Sequence, residues 1–177
     1  AGMRSLLLNI RRFICDQMIP DAYTIADYYK EYFEIGQGYG NFLTFGCFNG
    51  YEKLGTLYVD PLESGSGRIT KLDPGEITEN VYSSWYTAKS ETDTPYQAVP
   101  EPDRKKSGAY SWVKAPRYRG LPYEVGPLAR MWLCGQYRHG ISSMDRTLAR
   151  VLEARKIADI LLVLLENVIP GVCIQKE

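Results

Sequence analysis

The chain has 177 residues, which suits one domain with a hydrophobic core better than two. Its 21 basic and 21 acidic residues balance, so charge gives no argument for a nucleic acid or an anionic membrane as partner. The longest apolar runs, at residues 5–10 and 160–165, are far shorter than the ~20 residues of a membrane span.

Two helices are predicted in the first third of the chain, over about residues 4–19 and 21–35, because apolar residues recur there at helical spacing. Pro20 is expected to end the first helix, since proline lacks the backbone N–H that a helix interior needs. Asp21 is expected to cap the second helix by accepting from free backbone N–H groups. Gly36 then ends this helix.

The middle of the chain alternates between strand-like and turn-like segments. Strands are predicted over residues 41–48, 56–59, 68–72, 76–83, 109–113 and 117–118. Asp73-Pro74-Gly75 predicts a turn. Residues 87–108 are polar and proline-containing and predict an exposed excursion, in which Arg104-Lys105-Lys106 forms a solvated turn.

Helices return near the C-terminus, over about residues 127–138 and 143–167. Pro127 fits the first turn of one, and Ser142 or Ser143 can cap the other. The predicted fold class is therefore α+β, with helices at both ends around a central region of short, mostly antiparallel strands. We expect a single domain over residues 4–172, with Ala1-Gly2-Met3 as a cloning scar.

Isolated residues give weak signals for chemistry. No C-x-x-C pair occurs among the four scattered cysteines, which are Cys15, Cys47, Cys134 and Cys173. Buried free thiols are the favoured interpretation over a zinc or iron–sulfur site. The one histidine, His139, is expected to interact with a helix terminus rather than to bind metal or catalyse a reaction.

Charged residues are embedded in an aromatic and proline-rich stretch at residues 110–130, namely Lys114, Arg117, Glu124 and Arg130. Such charges are costly if they are buried unpaired. They predict an ion-pair network in which Glu124 pairs with Arg117 or with Arg130. A structural network is favoured over a direct chemical role.

The same stretch closely resembles the central signature of nickel–iron hydrogenase large subunits, and the order and approximate spacing of the motifs match over about residues 21–150. The motifs are Tyr39-Gly40-Asn41-Phe42-Leu43-Thr44-Phe45-Gly46, Ile77-Thr78-Glu79 with Ser84-Trp85-Tyr86, Tyr110-Ser111-Trp112, Lys114-Ala115-Pro116-Arg117-Tyr118 and Glu124-Val125-Gly126-Pro127-Leu128-Ala129-Arg130. Several motifs in order are far more specific than one.

The resemblance implies a parent enzyme that reversibly oxidises H2 to protons and electrons at a Ni–Fe centre. Electrons would leave through an iron–sulfur small subunit, which is one implied partner, and the rest of the large subunit is another. The family holds its metals with two C-x-x-C pairs, and its proton-passing glutamate lies beside the first; this sequence contains neither pair. Tyr123 stands where the family commonly has methionine.

These departures lead us to expect an internal scaffold segment that binds no metal or cofactor and is inactive alone. Arg117 and Glu124 are expected to orient backbone behind the metal site. The alternatives are a metal-free interaction module and a quinone-reductase-type subunit of respiratory complex I. Self-association through exposed apolar surface also stays open. The implied parent is prokaryotic, and its location is left open as cytoplasmic, periplasmic or membrane-associated.

Overall fold

A computed structural model describes residues 2–45, 62–64, 69–88, 99–169 and 171, with backbone alone for 62–64. The helical elements are α1 (Gly2–Phe13), a π-helical turn (Ile14–Met18), α2 (Ile19–Tyr28), two 3-10 turns (Lys30–Phe33 and Pro74–Glu76), α3 (Pro127–Leu133) and α4 (Ser143–Asn167). The strands are β1 (Phe42–Thr44), β2 (Leu62–Ser64), β3 (Thr70–Lys71), β4 (Ile77–Asn80) and β5 (Ala115–Tyr118). The predicted α+β class, with helices flanking short strands, is confirmed.

The helical backbone runs through Pro20, so the predicted break there is wrong. The π-helical turn places the N–H of Ile19 on the carbonyl of Ile14, five residues back. A widened turn interrupts the regular i→i−4 ladder, and Pro20 falls in the first turn of α2, where its missing N–H is tolerated. The predicted cap by Asp21 is also wrong, because its carboxylate accepts from the Gln17 side chain at 3.2 Å.

The actual break follows Tyr28, well before the predicted end at residue 35. Tyr29 leaves the helical region, with φ −108° and ψ 53°, and the chain continues as a 3-10 turn. Helix α1 meanwhile lies antiparallel to the C-terminal half of α4. Arg11 contacts Asp159 at 2.5 Å, and Arg4 contacts Glu166 at 3.6 Å.

Two small antiparallel sheets make up the middle of the chain. One has the order β1-β2-β3, and the other pairs β4 with β5 from Ile77 opposite Tyr118 to Asn80 opposite Ala115. The predicted strand at 109–113 is wrong, since the backbone there forms only an isolated bridge between Ser84 and Ser111. The predicted strand at 56–59 lies outside the described residues.

The turn predictions fare differently from one another. The Asp73 side chain accepts from the Gly75 N–H at 2.9 Å, which confirms the turn there. Lys106 is not a solvated turn residue, because its ammonium group donates to the carbonyls of Val81 at 2.6 Å and Tyr86 at 2.9 Å. This lysine ties the edge of the excursion to the segment after β4.

The main core lies where α2, α3 and α4 meet. Its buried members are Ala22, Ala26, Phe42, Leu128, Ala129, Met131, Leu133, Tyr137, Met144, Leu148, Ala149, Val151 and Leu152. A smaller cluster of Leu43, Leu72 and Tyr118 lies between the two sheets. None of the helices in the described part of the chain is long and apolar enough to cross a bilayer.

The residues at the helix ends explain how the chain passes from α3 to α4. Pro127 occupies the first turn of α3, as predicted, but this helix ends at Leu133 rather than near 138. Gly135 adopts a positive φ of 75°, which is the left-handed conformation that commonly terminates helices. Ser142 caps α4 and forms a reciprocal capping box with Asp145, so the predicted serine cap is confirmed.

Candidate functional site

Glu124 joins three parts of the fold through its backbone and its side chain. Its backbone pairs with β1 and the residue before it: the Leu43 N–H donates to the Glu124 carbonyl at 3.0 Å, and the Glu124 N–H donates to the Asn41 carbonyl at 2.8 Å. Its side chain accepts two hydrogen bonds from the Arg146 guanidinium on α4, at 2.6 and 2.9 Å. Two parallel charge-assisted bonds fix orientation as well as distance.

The loop after the N-terminal helices packs directly onto this ion pair. Arg146 also donates to the carbonyl of Gly36 at 2.5 Å. A Cβ at Gly38 would lie 2.7 Å from a Glu124 oxygen and 2.8 Å from an Arg146 nitrogen. A side chain at position 38 would therefore have to displace the ends of both side chains of the pair.

The predicted pairing of Glu124 with Arg117 or Arg130 is wrong. Arg130 forms two hydrogen bonds with Glu153 on α4 instead, at 2.5 and 2.9 Å. The Arg117 guanidinium donates to the neighbouring carbonyl of Pro116 at 2.9 Å. The motif's charged residues do pair, but with partners far along the chain.

Lys114 completes the set of predicted site residues. Its ammonium group donates to Glu79 at 2.6 Å and lies 5.3 Å from the ring centre of Tyr86. Since Glu79 lies on β4 and Lys114 immediately precedes β5, this contact joins the two strands at one end of their sheet. The four predicted residues thus make four separate contacts, three with charged partners and one with a backbone carbonyl, rather than one network.

Sequence reasoning missed three residues, namely Glu79, Arg146 and Glu153. Arg146 and Glu153 are seven residues apart, so they lie near one face of α4. That face also carries buried apolar residues such as Ala149 and Ile160. Charged residues inside an apolar helical stripe were the signal that could have located the partners.

A second polar cluster surrounds the buried carboxylate of Asp145. Asp145 accepts from the Ser142 N–H at 2.8 Å, the Ser142 hydroxyl at 2.5 Å and the Tyr137 hydroxyl at 2.6 Å. Burial acts to raise the pKa of Asp145, but these hydrogen bonds outweigh it and hold the pKa below its usual value. Burial and the bond to Asp145 raise the pKa of Tyr137.

His139 does not lie at a helix C-terminus, so that prediction is wrong. Helix α3 ends six residues earlier at Leu133, and His139 precedes the Ser142 cap of α4. Its ring packs edge-on against Tyr137, with centroids 5.0 Å apart. It lies beside an open cavity of about 270 Å³.

The described residues do not fit a nickel–iron centre, which needs several thiolate donors aimed at one point. Cys15 and Cys134 are free and half-buried, while Cys47 and Cys173 lie outside the described residues. The Cys134 thiol donates to the Met131 carbonyl at 3.5 Å. Across the residues that the structure describes, His, Cys, Asp and Glu form no group of three suited to a metal ion.

The fold and the embedded-charge motif define the class of protein, which is that of the nickel-dependent hydrogenases. The chain matches the nickel-dependent hydrogenase family over residues 1–158, and it belongs to that family. It is 33% identical over 158 residues to the periplasmic [NiFeSe] hydrogenase large subunit of Desulfomicrobium baculatum. It is 28% identical over 180 residues to the hydrogenase-1 large chain of Escherichia coli.

Solved structures agree with the sequence match. The [NiFeSe] hydrogenase of Desulfomicrobium baculatum superposes with a TM-score of 0.80 at 29% identity, over 94% of this chain and 39% of that one. The Ni-Fe-Se hydrogenase of Desulfovibrio vulgaris Hildenborough gives 0.76 at 31% identity, over 90% of this chain and 39% of that one. Each of the two sequence relatives is matched over 86% of this chain, which spans 30% of their length.

The Arg130–Glu153 pair makes a first prediction. Replacing Arg130 with Met leaves the Glu153 carboxylate, whose side chain is 6% exposed, without its main counter-charge. We expect this to lower the free energy of unfolding by roughly 3–5 kcal/mol, measured by urea denaturation. Adding Glu153→Leu should restore much of that loss, because no buried charge is then left unpaired.

The matched control is Arg4→Met, which removes an exposed ion pair with Glu166. It should lower the free energy of unfolding by less than ~1 kcal/mol. A similar cost for Arg4→Met and Arg130→Met would contradict the importance of burial at the Arg130–Glu153 pair.

Asp145 makes a prediction about pH. Its folded pKa is lowered, so the carboxylate stabilises the fold above its unfolded pKa of about 3.9, and this contribution is lost as pH falls through the lower folded pKa. The wild type should exceed Asp145→Asn by about 1–3 kcal/mol in unfolding free energy at pH 7. This difference should shrink below about pH 4. Urea titrations at several pH values measure it, and a difference independent of pH would contradict the assignment.

Proposed function

We propose that this chain is a central scaffold segment of a nickel–iron hydrogenase large subunit, whose parent enzyme reversibly oxidises H2 to protons and electrons. One observation carries the proposal: the segment from Lys114 to Arg130 matches the family signature and lies in a fold that superposes on solved hydrogenases with a TM-score of 0.80. The curated relatives are named as hydrogenase large subunits or large chains.

The metal centre would belong to the parent enzyme and be held by residues other than those described here. When bound, a Ni–Fe centre supplies the redox chemistry that splits dihydrogen. This chain would contribute no ligand and would be inactive by itself. Support comes from its sequence, which has no C-x-x-C pair, and from the poor fit of its described cysteines to such a centre.

The partners would be the rest of the large subunit and an iron–sulfur small subunit that receives the electrons. A relative named as a large subunit supports the existence of a smaller one. The parent would be a prokaryotic enzyme, cytoplasmic or periplasmic and membrane-associated, and one relative is named as periplasmic. A homo-oligomer formed through exposed apolar surface is a further arrangement that this chain permits.

Glu124 and Arg117 would act by positioning backbone behind the metal site. For Glu124 the support is geometric, because its two hydrogen bonds to Arg146 hold the loop at Gly36 and the chain beside β1 together. For Arg117 the support is its half-buried position on β5 within the signature.

Glu124→Gln in the full-length enzyme tests this role. The change keeps the side chain's volume and removes its charge, so the loop should lose its fixed position while the helices persist. We expect nickel content and hydrogen turnover to fall by roughly tenfold, with far-ultraviolet circular dichroism unchanged. Elemental analysis and a hydrogen-uptake assay measure both.

The matched control is Glu31→Gln, which changes an exposed carboxylate on the 3-10 turn after α2 and should alter neither quantity. Unchanged folding, metal loading and turnover in Glu124→Gln would refute the positioning role.

Metal analysis of the purified chain tests the scaffold assignment. We expect no nickel, no iron and no hydrogen uptake with an artificial electron acceptor, because metal binding needs a set of thiolate donors that this chain does not supply. Stoichiometric nickel with activity would show that the four cysteines form a site and would overturn the proposal.

A further inference from the structure

An open cavity of about 270 Å³ lies between α2, the first 3-10 turn and the loop that connects α3 to α4. Its lining includes Tyr23, Asp27, Phe33, Tyr137, His139 and Leu148. Four of these six side chains are aromatic rings and one is a carboxylate. Among the described residues that line it, there is no lysine or arginine.

The walls come from separate elements, and several of them are held in place. Tyr23 and Asp27 are four residues apart on α2, so both project from the same side of that helix. Tyr137 is almost fully buried, and its hydroxyl donates to Asp145 at 2.6 Å, which fixes its ring. The His139 ring packs edge-on against it at 5.0 Å.

The electrostatics of these walls favour a positive guest. Aromatic rings attract cations through the partial negative charge of their π faces. The attraction is strongest when the cation has lost its hydration shell. Asp27 adds a formal negative charge at the cavity, and the Asp145 carboxylate lies directly behind Tyr137. An anion would meet the carboxylate of Asp27 and no lysine or arginine among the described lining residues.

We propose that this cavity binds a small organic cation of the alkylammonium class, which lies against the aromatic lining of Tyr23, Phe33 and Tyr137 and is balanced by the Asp27 carboxylate. Aromatic walls with one carboxylate are the arrangement by which proteins select quaternary ammonium groups over neutral groups of the same shape. The proposal rests on the cavity alone and does not depend on hydrogenase activity.

The test compares choline with 3,3-dimethylbutan-1-ol, a neutral molecule of the same shape. Both are titrated into the purified full chain by calorimetry at pH 8 and constant ionic strength. Choline should bind about tenfold more tightly than the alcohol, because only choline gains the attraction to the rings and to Asp27. Equal affinities, or no choline binding, would overturn the proposal.

Variants locate the site. Asp27→Asn and Tyr23→Leu should each weaken choline binding by about five- to tenfold. Their matched controls are Asp16→Asn, an exposed carboxylate in the π-helical turn, and Tyr110→Leu, an exposed ring after the excursion. Both controls should bind choline like the wild type.

The folding of each variant is checked by circular dichroism. Choline binding that Asp27→Asn and Tyr23→Leu leave unchanged would overturn the proposal, as would an equal loss in the controls.

Discussion

The bidentate contact between Glu124 and Arg146 is the interaction on which the arrangement of the segments most depends. It joins the stretch before α3 to the fourth residue of α4, and Arg146 extends it to the carbonyl of Gly36. The backbone of Glu124 simultaneously pairs with the chain around β1. One carboxylate thus sets the relative positions of the N-terminal helices, a strand and the longest helix. Gly38 leaves this ion pair undisturbed because it has no side chain.

Helix α4 serves as the common support because neighbouring residues on it reach different partners. Asp145 accepts from Tyr137 in the loop before α4, whereas the adjacent Arg146 reaches Glu124. Two turns further on, Glu153 accepts from Arg130 of α3. These contacts surround the main apolar core, so they align the helices while core burial supplies most of the favourable free energy. Pairing is what makes buried charge tolerable in such a place.

Local chemistry made some of this structure predictable. Ser142 as a helix cap, Pro127 in a first turn and the Asp73 turn each depend on residues within about four positions of one another. The same reasoning gave a wrong prediction at Pro20, because the π-helical turn that accommodates this proline has no reliable signal in the sequence.

The partners in the ion pairs could not be predicted from local sequence, for a different reason. Glu124 and Arg146 are 22 residues apart, and Arg130 and Glu153 are 23 apart. Choosing partners at such separations requires knowing how the helices pack. Sequence reasoning could state that the embedded charges must be paired, but it could not say with which residues.

The charges of the family signature are not equally explained by the fold. Lys114 holds the end of the β4–β5 pair, Glu124 holds the loop and β1, and Arg130 holds α3 to α4. Each of these three has a carboxylate or guanidinium partner, so structural constraint accounts for its charge. Arg117 differs, because the contact that its guanidinium makes within the described residues is with the carbonyl of its own neighbour, Pro116. A neutral side chain at position 117 would leave the pairing of β5 with β4 unchanged. The charge of Arg117 is therefore the one that the described fold does not require. In a signature whose other charges all join segments, this favours a role for Arg117 toward a group beyond the described residues.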